Sequence, residues 1–136
     1  MAKILPKVRM ILLCEKADLE KEIWILQNPL SAVVMPPEIK ENFRLKTIFL
    51  YAQLTGGVGR YNISMQVRAF ASNYVLGRSH PQPIEFAATD RDLLVERVFQ
   101  LNELTFPSPE LYEFQLLANH LELEDQDTYL SVLSGE

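Results

Sequence analysis

The regular alternation of apolar and polar residues from Tyr61 to Ala69 constrains the fold of this chain most strongly. Apolar residues occupy the odd positions of this segment, and polar residues occupy the even positions between them. A period of two residues predicts a β-strand with one face on a core and the other toward water. Similar short segments recur along the chain between turn residues, so we predict an all-β, mainly antiparallel fold that is a sandwich or a barrel.

The first half of the chain is predicted to contain a buried strand, a charged segment and a long hairpin. Lys7–Cys14 is a short apolar run typical of a buried strand. Glu15–Glu22 is strongly charged and fits either a short helix or a solvated loop. Arg44–Phe70 reads as a β-hairpin, because the glycines of Thr55–Gly59 tolerate the positive φ angles of a tight reversal.

The second half is predicted to close the sandwich with further strands. Leu93–Phe106 fits one bent strand, or a helical turn that leads into a strand. Leu111–Ala118 alternates again, and its even-numbered residues are expected to face inward. A turn at Asn119–His120 should then lead into a closing hairpin or meander that ends near Leu133.

Composition favours one soluble domain over residues 1–136. Hydrophobic residues make up 48% and charged residues 23% of the chain, which is close to the globular average. The formal net charge of −5 disfavours binding to nucleic-acid phosphates. A single cysteine, Cys14, excludes an internal disulfide, and no apolar run is long enough for a membrane span. We therefore expect a cytoplasmic protein that binds neither nucleic acid nor a membrane.

The segment Leu104–Leu116 carries a resemblance to known sandwiches. A leucine, a proline-containing turn, Tyr112 and an alternating strand follow one another there. This arrangement resembles the strand-to-strand corner of fibronectin type III and other immunoglobulin-like domains, in which the tyrosine hydrogen-bonds back across the corner. In this chain Glu110-Leu111 replaces the usual glycine or threonine of the turn.

The whole chain also resembles a family of small bacterial β-sandwich proteins of unknown function. The matching pieces are Val8–Cys14, Ile48–Val67 and Pro107–Val132. Together with the corner at Leu104–Leu116, this resemblance implies an all-β, immunoglobulin-like β-sandwich, with or without one short helix, and it carries over no catalytic residue.

The residues that most often perform catalysis or bind metals lack suitable neighbours. His80 and His120 lie in predicted turns, and no partner occurs at a typical metal-ligand spacing. Cys14 ends an apolar strand and reads as a buried structural cysteine; a catalytic pairing with either histidine is the weakest alternative. The glycines of Thr55–Gly59 precede a strand, which excludes a phosphate-binding loop. We predict no catalytic residue, no cofactor and no metal.

Trp24, Phe49 and Tyr51 are the residues that we expect to contact a partner. Trp24 is either a core anchor or a contact residue. Phe49 and Tyr51 lie on the second face of a strand whose other face is apolar, so they are either covered by Glu15–Glu22 or exposed as a patch.

We therefore expect a non-enzymatic interaction or assembly module that uses a sheet face or an edge strand, with a protein partner or a second copy. The alternative is a sandwich that binds a small ligand or Ca²⁺ through end loops. The acidic residues of Thr89–Asp92 and of a predicted turn within Glu122–Asp127 would supply the oxygen ligands.

Overall fold

The chain forms a β-sandwich with almost no helix. The computed structural model describes residues 3–90 and 92–135, without the side chains of Asp90, Glu124 and Asp125. The strands are β1 Lys7–Glu20, β2 Ile23–Pro29, β3 Ala32–Val34, β4 Phe43–Thr55, β5 Gly59–Ala69, β6 Val75–Arg78, β7 Gln82–Phe86, β8 Val95–Phe106, β9 Leu111–Ala118 and β10 Leu121–Leu133. Strands account for 70% of the structure, so the predicted all-β sandwich is confirmed.

Two sheets make up the layers of the sandwich. The first has the strand order β2-β1-β4-β8, and the second has the order β3-β10-β9-β5-β6, with β7 also paired to β5. β3 runs parallel to β10, whereas the other strand pairs in the described ranges are antiparallel.

The interior is filled by the alternating faces of the long central strands. The odd-numbered residues of β5 from Tyr61 to Ala69 are all buried, as their period of two predicts. The even-numbered residues of β9 from Tyr112 to Ala118 are also buried, which confirms the predicted inward face. β4 supplies the opposite layer with Ile48, Leu50 and Leu54, each of them fully buried.

The predicted hairpin over Arg44–Phe70 is wrong. β4 pairs with β1 and β8, whereas β5 pairs with β6, β7 and β9, so the two strands lie in opposite sheets. Gly56 and Gly59 do adopt positive φ angles of 76° and 108°, but their turn carries the chain from one sheet to the other. The physical reason is that both strands have a continuous apolar face, and each buries that face against the opposite layer.

Glu15–Glu22 forms neither a helix nor a long solvated loop, contrary to both predictions: Glu15–Glu20 belongs to β1, and Lys21 and Glu22 form a tight turn. The first strand continues from Lys7 to Glu20 and pairs along this stretch with β2. A neighbouring strand satisfies the backbone groups of this segment, whereas an isolated helix of two turns has too little stabilisation to compete. Within the described residues, the helical segment is a 3₁₀ turn at Ala88–Asp90, which lies before Leu93. Val95–Phe106 is a strand, so the helical turn predicted as one alternative for Leu93–Phe106 is not found in that segment.

Tyr112 ties the turn before β9 to the core. Its hydroxyl donates a hydrogen bond to the carbonyl oxygen of Ser108 at 2.7 Å. Its ring, which is completely buried, meets that of Phe106 edge to face at a centroid distance of 4.7 Å. The burial of the phenol raises its pKa, and the hydrogen bonds at Ser108 only partly oppose that effect. One side chain thus fixes the path of the chain between β8 and β9.

We expect Tyr112→Phe to lower the free energy of unfolding by about 1–2 kcal/mol, because the partly buried Ser108 carbonyl loses its donor. Urea denaturation measures the change. Tyr74→Phe is the matched control, since Tyr74 is 63% exposed and its loss of a hydroxyl should cost less than about 0.5 kcal/mol. Equal effects in the two variants would contradict the role assigned to Tyr112.

Candidate interaction surfaces

The ends of β1 and β2 project from the sandwich as a two-stranded arm, which comprises residues 15–28. Most of its side chains are exposed, among them Leu19 at 56% and Ile23 at 65%. The register pairs Lys16 with Gln27 and Glu20 with Ile23, so the strands stay hydrogen-bonded out to the tip. Charged residues on β1 alternate with apolar ones, which keeps the arm a strand while it lies outside the core.

The turn at the tip of the arm determines which backbone groups are free. Lys21 and Glu22 adopt φ angles of 48° and 66°, the left-handed values of a type I′ turn. In such a two-residue hairpin the flanking residues form a hydrogen-bonded pair, and bonded pairs alternate with non-bonded pairs along the ladder. The amides and carbonyls of Trp24 and Leu26 therefore point away from β1, along the open edge of the sheet.

β2 is an edge strand without the usual protection against pairing. Its sequence, Ile-Trp-Ile-Leu-Gln-Asn-Pro, contains no charged residue, and proline occurs only at its end. Edge strands of natural proteins are commonly protected by charges, prolines or short length. A neutral, β-branched and aromatic edge of this kind is a ready site for a further strand.

The other edges of both sheets carry such protection. β3 has only three residues, β6 has four, and β7 contains Pro83. β3 pairs with β10 only at Ser131–Leu133, and the rest of that edge of β10 is interrupted by a bulge and carries Glu122 and Asp127. β8 carries Glu96, Arg97 and Glu103, and the side-chain amide of Gln82 donates to its Val98 carbonyl at 2.7 Å.

A cleft of about 460 Å³ runs beside β8, between the edges of the two sheets. Tyr74, Arg78, Asn102 and Glu103 are among its lining residues. These side chains are mixed in charge and polarity. The Gln82 hydrogen bond already bridges the two sheets near this seam, so the cleft is a less open pairing site than β2.

Trp24 lies on the arm, on the side that continues the interior face of its sheet. It is half-buried and pairs across the strands with Leu19. Leu13 faces the core, so Ala17 and Leu19 face the same way by the two-residue period of β1. Trp24 and Leu26 join them across the ladder. The arm thereby extends the apolar interior face beyond the second sheet.

Phe49 and Tyr51 lie together on the outward face of the four-stranded sheet. Phe49 is half-buried, and Tyr51 is only 5% exposed. The Tyr51 hydroxyl donates to the Glu96 carboxylate and accepts from Gln53 at 2.9 Å. Burial and the Glu96 hydrogen bond raise the pKa of Tyr51.

The structure thus groups Phe49 with Tyr51 and separates both from Trp24. The alternative in which Glu15–Glu22 covers Phe49 and Tyr51 is wrong, because that segment is part of the same sheet and its hairpin turn.

A polar cluster on the outward face of the six-stranded sheet was not found from the sequence. Arg68 Nε donates to Glu113 Oε1 at 2.6 Å, and Tyr129 donates to Glu113 Oε2 at 3.1 Å. Asp127 also hydrogen-bonds to Glu113, and Arg68 reaches Glu122 at 3.5 Å. Glu113 is only 3% exposed, which is unusual for a carboxylate on the outside of a sheet.

The two carboxyl groups of this cluster have pKa values shifted in opposite directions. Burial by itself would raise the pKa of Glu113, but hydrogen bonds from Asp127, Arg68 and Tyr129 outweigh it and lower that pKa. Burial and the adjacent Glu113 raise the pKa of Asp127 to about 7. Asp127 therefore holds the proton of the pair up to neutral pH, and Glu113 holds the negative charge.

The remaining sequence candidates are scattered. His80 is exposed between β6 and β7, and His120 is exposed in the turn between β9 and β10. Cys14 is fully buried, as expected, and burial raises the pKa of its thiol.

The predicted acidic turn at Glu122–Asp127 is instead part of β10. The side chains of Asp90, Glu124 and Asp125, which the calcium hypothesis used, lie outside the described residues. Within the parts of the chain that the structure describes, no group of three or more His, Cys, Asp or Glu residues is placed to hold a metal ion.

No protein-family model matches the sequence, and no curated protein has significant similarity to it. Over the described residues, no helix has the length and apolar character required to cross a bilayer.

We expect Arg68→Met to lower the free energy of unfolding at pH 8 by about 2–3 kcal/mol, because Glu113 would keep a buried charge without its cation. Partial exposure of Arg68 keeps the expected cost at this moderate level. Arg44→Met is the matched control, since its ion pair with Glu103 is long and solvated and should matter by less than about 0.5 kcal/mol. Chemical denaturation of both variants makes the comparison, and similar losses would refute a special role for Arg68.

Proposed function

We propose that this protein is a non-enzymatic interaction module that binds an extended protein segment along the free edge of β2. The observation that supports this proposal most directly is the neutral edge strand of the projecting arm, whose Trp24 and Leu26 amides point outward. The added segment belongs to a partner protein or to a second copy of the chain. Main-chain hydrogen bonds would supply affinity, and the side chains beside the edge would supply selectivity.

The side chains that flank this edge suit an apolar partner strand. Trp24 and Leu26 border it on one face of the arm, and Ile23 and Ile25 border it on the other. Ile23 and Ile25 are 65% and 39% exposed, so a new neighbour would remove apolar surface from water on its binding. Trp24 is large and half-buried, which is the character of a residue that anchors an interface.

The edge is a better candidate than the outward face around Phe49 and Tyr51. Tyr51 is buried and both of its hydroxyl hydrogen bonds are made within the chain, so it offers little to a partner. Phe49 remains half-exposed and would contribute as a secondary contact. A calcium-binding function gains no support from the described residues.

We propose no catalytic role, because the chemistry of the candidate groups does not favour one. The buried Cys14 thiol, with its raised pKa, is a poor nucleophile. The same free, buried thiol suits a reducing compartment, and we include cytoplasmic location in the proposal.

We expect Leu26→Pro to weaken binding at the β2 edge, whereas Leu26→Thr preserves it. Both variants remove the leucine side chain, but only proline removes the outward amide and obstructs an added strand. Association should weaken about tenfold or more in the proline variant relative to threonine, equivalent to at least about 1.4 kcal/mol. Sedimentation equilibrium tests self-association, and quantitative affinity capture from cells tests a partner.

Equal binding by the two variants would overturn the edge mechanism, as would a wild-type protein that forms no complex in either assay. Thermal unfolding of both variants serves as the control. Their melting temperatures should be similar, because the Leu26 amide makes no bond to β1 in this register.

A further inference from the structure

Two bulges, one in each sheet, meet at the side of the sandwich where β1 lies near β10. Leu123 pairs with Leu116 and Thr128 with Phe114, so β10 has extra residues that β9 does not match. On β1, the register shifts between Val8 and Met10, which leaves Arg9 as the extra residue. The side-chain amide of Gln126 donates to the Arg9 carbonyl at 2.8 Å. The bulged segment of β10, residues 124–127, thus links the two sheets.

Asp127 ends this bulged segment and faces a crowded set of charges. The charged groups that act on it within the described residues come from three strands: Glu113 on β9, Arg68 on β5 and Glu122 on β10 itself. Tyr129 adds a hydroxyl, which donates to Glu113. β1 packs against β10 as well, and its contribution there is the backbone carbonyl of Arg9.

The arrangement of buried oxygens around Glu113 favours a protonated Asp127. Oδ1 of Asp127 is buried, and no donor among the described residues reaches it. Glu113 already accepts from Arg68 and from Tyr129 on its two oxygens. Two ionised carboxylates have only acceptors, so their contact holds when Asp127 is neutral and donates its O–H to Glu113. An ionised Asp127 would leave a buried oxygen unsatisfied next to a like charge.

We propose that the Glu113–Asp127 pair is a proton-operated latch, which holds the 124–127 bulge on its sheet and against β1 while the shared proton is present. Loss of the proton places two negative charges side by side, with Glu122 close by and Arg68 as their counter-charge. The bulge then separates from Glu113, and the Gln126 bond to the Arg9 carbonyl breaks with it. The regular ladder of β10 on both sides of the bulge stays in place. This inference stands independently of the proposed function at β2.

The pH range of the latch follows from the direction in which the pKa of Asp127 is shifted. Its pKa is about 7 in the folded chain and 3.8 ordinarily, so the closed bulge binds this proton more tightly than an open one does. The stabilisation is fully present below the ordinary value and is lost as pH rises through about 7. Between pH 6 and pH 8, the opening equilibrium should shift about tenfold toward the open bulge.

Hydrogen–deuterium exchange of the wild-type chain at pH 6 and pH 8, corrected for intrinsic exchange rates, tests the latch. We expect about tenfold lower protection at pH 8 for the amides of residues 123–128 and those next to Arg9. The β5 and β9 amides should keep their protection. Unchanged protection of the bulge across this range would overturn the proposal.

Asp127→Asn is the decisive variant, because its side-chain amide donates to Glu113 at every pH in the range. We expect it to retain the protection of the wild-type chain at pH 6 under both conditions. Asp18→Asn, on the exposed arm, is the matched control and should keep the wild-type response to pH. A pH response that persists in Asp127→Asn, or disappears in Asp18→Asn, would contradict the latch.

Direct titration of the Asp127 carboxyl carbon by NMR keeps the test open if Asp127→Asn fails to fold. The expected midpoint lies near 7 in the wild-type chain, and it should fall in Glu113→Gln because the adjacent negative charge is gone. A wild-type midpoint near 4 would refute the proposal without any variant.

Discussion

The fold depends on the apolar layer that β4 in one sheet shares with β5 and β9 in the other. These three strands contribute many of the fully buried side chains, and each presents an uninterrupted apolar face to the interior. Burial of such surface is the dominant favourable term in folding, at roughly 25 cal/mol per Å². The arm, the edge strand and the polar cluster are all positioned by strands that extend from this layer. β1, for example, is held by Leu13 in the core before it emerges as the arm.

The sequence predicts the direction of side chains far better than it predicts which strands pair. The alternation in Tyr61–Ala69 and in Leu111–Ala118 identified their inward faces correctly, because the period of a strand is a local property. The same alternation does not say whether the next strand lies beside it or across the interior. The glycines after β4 permit a sharp turn in either case, and the hairpin prediction failed for that reason. The prediction for the charged segment Glu15–Glu22 failed for a similar reason, because its strand structure depends on pairing with β2, which the local sequence does not reveal.

For the candidate surfaces, too, the local pattern was predicted correctly and the tertiary contacts were not. Tyr51 and Phe49 were correctly placed on a second face, but the hydroxyl of Tyr51 is bonded to Glu96, a residue 45 positions away in the chain. The cluster around Glu113 was missed because alternation places that residue on the outside of its sheet. Arg68 comes from β5 and Tyr129 from β10, so only the assembled sheet brings their side chains to one carboxylate. The free edge of β2 also becomes visible only when the order of the strands is known.

The small parallel strand β3 has a consequence for how far copies of this protein could join. It pairs only with the last three residues of β10, Ser131–Leu133, and the preceding part of β10 is interrupted by a bulge and carries Glu122 and Asp127. Among the described strands, β2 then provides the long edge that carries neither a charged residue nor a bulge. If two copies met there about a twofold axis, each would occupy the other's border, and neither would offer a place for a third. Such an assembly stops at a dimer and does not grow into a fibre.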